Sequence, residues 1–309
     1  MRVLDLSTLL PGPLSTKLLQ DVGAHVTKVE SPISPDLLKT IKPTQNGVGV
    51  AYDFINNQKT IEFLDLRNSE DKSKFLELIK ETDVLVENFR PGRLLKMGLG
   101  YEDLKKINPN IIHCSITGYG YEHPLSQKAA HDLNILALSG YLDYQSRITL
   151  QPFIPPIQIA DVLTGYHAAL SILAYKAQNK SGWLDISMLD SMKHAYTLLQ
   201  PAENYLNRDI KAEEMPLWGS YPCYRVYQTK DEKYVVLAAV EPHFWQDFCT
   251  ANGLEDLKEQ QFSLDSEVKI KLENLFHSKT REEWALVEND YCLTPVYSYL
   301  EAKEKSIID

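Results

Sequence analysis

Several absences narrow the class of this 309-residue chain before any motif is considered. Its four cysteines, Cys114, Cys223, Cys249 and Cys292, stand far apart with no CxxC and no CxxxxH spacing. Neither a zinc framework nor a disulfide scaffold is indicated, and a reducing compartment is expected. No run of about 18 apolar residues occurs, and the amino-terminal MRVLDLSTLLPGPLS is broken by Asp5 and two prolines. Neither a membrane span nor a secretory leader is expected, so the expected location is the cytoplasm. Positive charge is short: 32 Lys plus Arg against 42 Asp plus Glu give a net charge of −10, which argues against a nucleic-acid platform. No GxGxxG follows the first strand pattern, since LLPGPLSTK holds a single glycine, so a dinucleotide fingerprint is missing. No internal repeat or low-complexity tract appears.

What is present is a chain with 44% hydrophobic and 24% charged residues, ordinary for a folded protein and long enough for about two domains. RVLDLS (2–7) reads as a short buried strand, followed by the turn Pro11-Gly12-Pro13, an amphipathic stretch over 14–20 and a second strand, HVTKVE (25–30). TIEFLDL (60–66), a helix opened by Asn68 or Ser69 and running to about Thr82, DVLVENF (83–89), a short helix near 102–107 and IIHCSIT (111–117) continue the alternation. Strands alternating with helices predict a doubly wound α/β layer with parallel strands. Residues 131–142 and 161–177 read as helices, WLDISM (183–188) as a strand, and a long helix is expected from there to about Leu206. The expected organisation is a large Rossmann-like α/β domain over 1–206, a linker over 207–220 and a smaller α+β domain over 221–309. The small domain would carry YRVYQT, a hairpin turn at Asp231-Glu232-Lys233, YVVLAAV and three helical segments.

Three places carry chemistry. His131 and Asp132 stand side by side where a loop meets a predicted helix; Asp132 suits an N-cap and His131 a surface position, while the alternative is an acid/base beside backbone amides that stabilise an anion. Asp161 follows the proline-rich PFIPPIQIA and opens another helix, either as a cap or as a base kept ionised by helix amides. Glu241 follows the strand YVVLAAV, either as ordinary first-turn acidity or as a partner for a catalytic group.

The segments RVLDLS-x4-GP, LL-x-DVGAHVTKVESP, DVLVENFRPG, MGLGYEDLKKINPNIIHCSITGYG and HDLNILALSG, in that order, resemble the family III CoA-transferase superfamily, whose members include α-methylacyl-CoA racemases. The resemblance runs from Arg2 to about Pro295. His131 beside Asp132, the later Asp161 and the segment Ala239 to Trp245 are similar to the racemases rather than to formyl-CoA or carnitine-type transferases.

The resemblance implies inversion of the carbon α to a thioester by two acid/base groups, His131 and Asp161, with Glu241 hydrogen-bonded to His131 and the backbone N–H of Asp132 stabilising the enolate. It implies no metal or redox cofactor; coenzyme A enters as part of an acyl-CoA substrate. Lys39, Lys59, Asn88, Arg90 and Arg93 are the residues implied to meet the CoA handle. In the transferases the residue matching Asp132 is the nucleophile that forms an acyl-aspartyl anhydride, so transfer of CoA between carboxylic acids stands as an alternative activity. A CoA-binding relative without turnover is the third reading. Lys39 stands where the family usually has Arg, Ala130 where it has Gly, and Gly120-Tyr121-Glu122-His123-Pro124 where a Gly-Gln-x-Gly-Pro loop is usual. The family forms interlocked homodimers, and with the sequence stopping at Asp309 a more open ring is expected.

Overall fold

The computed structural model describes residues 1–287 and 290–309. The chain divides into two compact units: unit 1 is Met1–Tyr144 with Pro152–Leu198, and unit 2 is Gln145–Gln151 with Leu199–Asp309. The helix over Leu199–Leu206, expected in the large domain, and the stretch 207–220, expected as a linker, both lie in unit 2. The short segment Gln145–Gln151 joins them there because the Arg147 guanidinium donates to Glu203 Oε1 at 2.6 Å and to the Ile210 carbonyl at 3.0 Å.

Unit 1 holds a six-stranded sheet whose strands are β1 (Arg2–Asp5), β2 (His25–Glu30), β5 (Thr60–Phe63), β6 (Val84–Glu87), β7 (Ile112–Thr117) and β8 (Gly182–Ser187). Two residues each form the small hairpin of β3 (Thr44–Gln45) and β4 (Val48–Gly49). The sheet order is β5-β2-β1-β6-β7-β8 with every pair parallel. The chain therefore works outward from β1 on one side and returns to its other side at β6. That reversal makes the gap between β1 and β6 a topological switch point, where open α/β sheets bind ligands beyond the carboxyl ends of their strands.

The strands are short, apolar and β-branched, and successive residues serve opposite faces. Val3, Val84 and Ile112 pack with Leu19 of α1 (Pro11–Asp21) and Ala168 and Ile172 of α8 (Ile159–Ala177). Leu4 and Leu85 pack on the other face with Phe75 and Ile79 of α3 (Ser69–Lys80) and Leu104 of α5 (Tyr101–Ile107). Helix α3 begins where its sequence dictates, with Asn68 Oδ1 accepting the N–H groups of Glu70 and Asp71. Helices α1 and α8 approach closely, and a Cβ on Gly165 would lie 3.0 Å from Leu14 Cδ2. The remaining helices of unit 1 are α2 (Val50–Asn56), α4 (Arg93–Lys96), α6 (Asp132–Leu138) and α9 (Met188–Ser191), while α7 (Tyr141–Thr149) crosses the boundary between the units.

Two long helices expected from the sequence are broken. The one over 131–142 stops at Leu138 and resumes after Gly140, whose φ of +89° interrupts it. The one after β8 becomes α9, a 3-10 stretch over Met192–Tyr196, and α10 (Leu199–Leu206) in unit 2.

Unit 2 carries the antiparallel sheet β11-β10-β9, from β9 (Tyr224–Gln228), β10 (Tyr234–Ala238) and β11 (Leu293–Pro295). Helices α11 (Pro242–Ala251), α12 (Ser266–Phe276), α13 (Arg281–Ala285) and α14 (Tyr299–Glu304) complete it, one more than expected. Its core is aromatic, with Trp245, Phe248, Phe276 and Trp284 packed under Tyr227. Among the described residues, no helix is long and apolar enough to cross a membrane.

Candidate active site

The N-termini of α6 and α8 converge on one carboxylate. Asp132 is the first residue of α6, yet its side chain caps the other helix: Oδ1 accepts the N–H of Ala160 at 2.7 Å and of Asp161 at 3.1 Å. The expected N-cap role of Asp132 for its own helix is thus corrected. His131 occupies that N-cap position, and its N–H donates to Asn134 Oδ1 at 3.0 Å. The reason lies in chain geometry, since a residue with helical φ/ψ at the first position points away from its own first-turn amides and can reach a neighbouring helix.

The same contact brings Asp161, in the first turn of α8, beside Asp132. Burial, and after it the charge of Asp132, push the Asp161 carboxyl up to about 7. Asp161 was expected to be kept ionised by helix amides; those amides are taken by Asp132, so the neutral and charged forms are both available near neutral pH. Burial also raises Asp132, against the lowering effect of its two backbone hydrogen bonds. The His131 side chain is exposed. Ala130, which replaces the family's usual glycine, packs so closely on the turn after β7 that a Cβ on Gly118 would lie 2.8 Å from its methyl carbon.

Glu241 belongs to unit 2, where it is exposed at the N-cap position of α11 and accepts no side-chain cap hydrogen bond. It is not among the residues that unit 1 assembles.

A cavity of about 690 Å³ opens at the carboxyl ends of β1, β2, β5 and β6. Asn88, Arg90 and Arg93 line it. Asn88 ties the switch point together: its Oδ1 accepts the Thr8 N–H at 2.9 Å and its Nδ2 donates to the Thr8 carbonyl at 2.7 Å. The Arg93 guanidinium lies over the Phe89 ring, 4.7 Å from its centroid.

Two of the expected CoA residues are placed elsewhere. Lys59 is buried in unit 1, where its ammonium meets Asp5 at 3.0 Å and donates to the Pro13 carbonyl, Thr16 Oγ1 and Asn56 Oδ1. Every proton of that ammonium is spoken for inside the core, so Lys59 cannot meet a phosphate. Lys39 does not itself line the cavity; it pairs with Glu30, which does, and lies over the rings of Tyr52 and Phe63. The cavity instead carries Arg67 and Lys96, which the sequence reading did not single out. Arg67 follows the strand β5, a position whose signal was the strand end, whereas Lys96 closes the short helix α4 and had no such signal.

Unit 1 is thus an open parallel α/β sheet of the ligand-binding kind, with a cationic crevice at its switch point and, outside the residues lining that crevice, two neighbouring carboxylates at the N-termini of α6 and α8. The chain belongs to CoA-transferase family III, whose profile matches residues 1–308. It is 36% identical over 268 residues to human succinyl-CoA:glutarate CoA-transferase, covering 84% of this chain and 59% of that protein. It is 30% identical over 311 residues to human alpha-methylacyl-CoA racemase, covering 97% of this chain and 77% of that one. A CaiB/BaiF family protein from Brucella suis superposes with a TM-score of 0.83 at 26% identity, over 98% of this chain and 85% of the other. The fold and the superfamily expected from the sequence are therefore those observed, and relatives of both activities are similar to it.

Proposed function

We propose that the protein is an acyl-CoA racemase of the α-methylacyl type. The observation that supports this most is the placing of Asp161, buried beside Asp132 with no side-chain hydrogen bond among the described residues, a setting that pushes its carboxyl up to about 7. A group poised there gives up and takes back a proton at neutral pH with little driving force lost in either direction. Asp161 takes the α-proton of one enantiomer, leaving a thioester enolate, and His131 returns a proton to the opposite face; the reverse reaction exchanges the roles. The Asp132 N–H, which no described acceptor takes, is the donor assigned to the enolate oxygen. Arg90, Arg93, Arg67 and Lys96 hold the phosphates of coenzyme A, and the working unit is a homodimer, as the resemblance implies.

A second reading has one observation in its favour. Both backbone hydrogen bonds to Asp132 fall on Oδ1, which leaves Oδ2 free to attack an acyl group as a CoA-transferase nucleophile. The two separate by NMR of a 2-methylacyl-CoA in D₂O without any carboxylic acid acceptor. Loss of the α-proton signal with inversion, abolished in D161N and H131A, is the racemase result. No exchange, followed by acyl transfer once an acceptor acid is added, transfers the role to Asp132.

A further inference from the structure

The loop leaving β1 forms the centre of the crevice, and each of its three residues is held by a different element. The Ser7 N–H and hydroxyl donate to Asp5 Oδ1, and the Ser7 carbonyl accepts from the buried Lys28 ammonium at 2.6 Å. Thr8 is held at both its N–H and its carbonyl by Asn88. Leu9 has a φ of +64°, a left-handed conformation that a branched L-residue adopts only under constraint. Its N–H lies 3.1 Å and 3.2 Å from the two carboxylate oxygens of Asp36. Asp36 is 2% exposed, also accepts the Leu38 N–H at 3.0 Å, and stands 3.6 Å from the Lys28 ammonium. Ser7, Thr8, Leu9, Lys28 and Asp36 all line the cavity.

We infer that Asp36 is a positioning residue for the ligand crevice: its carboxylate, oriented by Lys28, holds Leu9 in the left-handed conformation that shapes the rim facing the ligand. The local cost of that conformation is met by the surrounding bonds, as is usual where strain is kept at a functional site. The inference rests on the reading of this cavity as the coenzyme A site. It adds a role for a carboxylate that an anionic ligand would otherwise be expected to avoid.

The clamp makes a rescue prediction. In D36N one of the two oxygens facing Leu9 becomes an NH₂, which is set either toward the Lys28 cation or against the donating Leu38 N–H, so the hold on Leu9 is weakened in both orientations. D36E keeps a charge for Lys28 while displacing the carboxylate by one methylene, which guards against a variant that merely unfolds. In both, the dissociation constant for free coenzyme A, measured by calorimetry, should rise about tenfold, equivalent to the ordinary left-handed penalty. Amide hydrogen exchange at Leu9, followed by NMR without ligand, should accelerate while exchange in β6 and β7 stays unchanged. Adding L9G, which adopts positive φ freely, should return coenzyme A affinity to within about threefold of the parent. Unchanged affinity and Leu9 exchange in folded D36N and D36E would overturn the clamp. So would a loss of affinity that L9G fails to rescue, since Asp36 would then act through general stability. Absence of coenzyme A binding by the parent protein, with Leu9 exchange still dependent on Asp36, would leave the clamp in the fold and overturn its link to this ligand along with the reading of the cavity.

Discussion

Asp161 and Lys59 show how burial gives two charged residues opposite fates. Asp161 is raised by burial and by Asp132, so it carries its proton far above the range of an unfolded aspartate. Below about pH 4 it is neutral whether folded or not; between about 4 and 7 the unfolded chain ionises while the folded one keeps its proton, so stability falls as pH rises through that window. D161N removes the fall. Its stability relative to the parent should improve by on the order of 1–2 kcal/mol from pH 3.5 to pH 8, after allowing for solvent screening, in urea melts at the two pH values. An equal difference at both would remove Asp161 as the group poised near neutrality. Lys59, by contrast, has its ammonium buried against Asp5; burial lowers Lys59, while at Asp5 the pull of burial is outweighed by Lys59 and Lys28, which hold that carboxyl below its usual range. K59M strands the Asp5 charge in the core and should cost about 3–5 kcal/mol of stability. A melt unchanged from the parent, with weakened coenzyme A binding, would instead restore Lys59 to the ligand site. Its sequence, at the end of Ile55-Asn56-Asn57-Gln58-Lys59, gave no sign of this, because a buried and a solvated lysine look alike until Asp5 and Thr16 are folded around one of them.

At the scale of elements, β6 was legible because burial on both faces leaves a continuous apolar run, and β2 falls on the residues expected for it. Helix starts were legible where the cap is local, as at Asn68, and misread where it is tertiary. Asp132 capping α8 rather than α6 depends on how two helices meet, which periodicity does not encode. The short helix α2 went unseen because seven residues between a turn and a strand carry too little pattern. The Asp132 cap makes a prediction of its own. D132A should lose about 1 kcal/mol of stability through the uncapped α8 terminus, whereas D132N, which keeps an oxygen acceptor, should lose less. In D132N the Asp161 carboxyl, followed by ¹³C NMR, should titrate below about 7, since the neighbouring charge is gone. An unmoved Asp161 titration would show that burial alone sets it.

On the scale of the whole molecule, a chain of net charge −10 gathers Arg67, Arg90, Arg93 and Lys96 along one crevice. Local cations in an acidic protein select an anionic ligand without making a general polyanion binder. Raising NaCl from 50 to 500 mM should weaken coenzyme A binding by about three- to tenfold, and R90E/R93E should both weaken it and flatten that salt dependence. A salt-independent affinity would mean that the crevice cations do not face the phosphates. The crevice was legible through ENFRPGR, which places Asn88, Arg90 and Arg93 after β6. The division of the chain was less so, because Arg147 ties a seven-residue segment from the middle of the sequence to Glu203 and Ile210, a long-range bond with no local signature.

Proton transfer at the α-carbon is tested most directly with a single enantiomer of a 2-methylacyl-CoA in D₂O, followed by NMR with the parent protein, D161N and D132N, no acceptor acid being present. Deuterium entering the α-position with inversion by the parent, lost in D161N and retained in D132N, is the result predicted. An α-proton that stays in place, with CoA moving to an added carboxylic acid and that transfer lost in D132N, would contradict it.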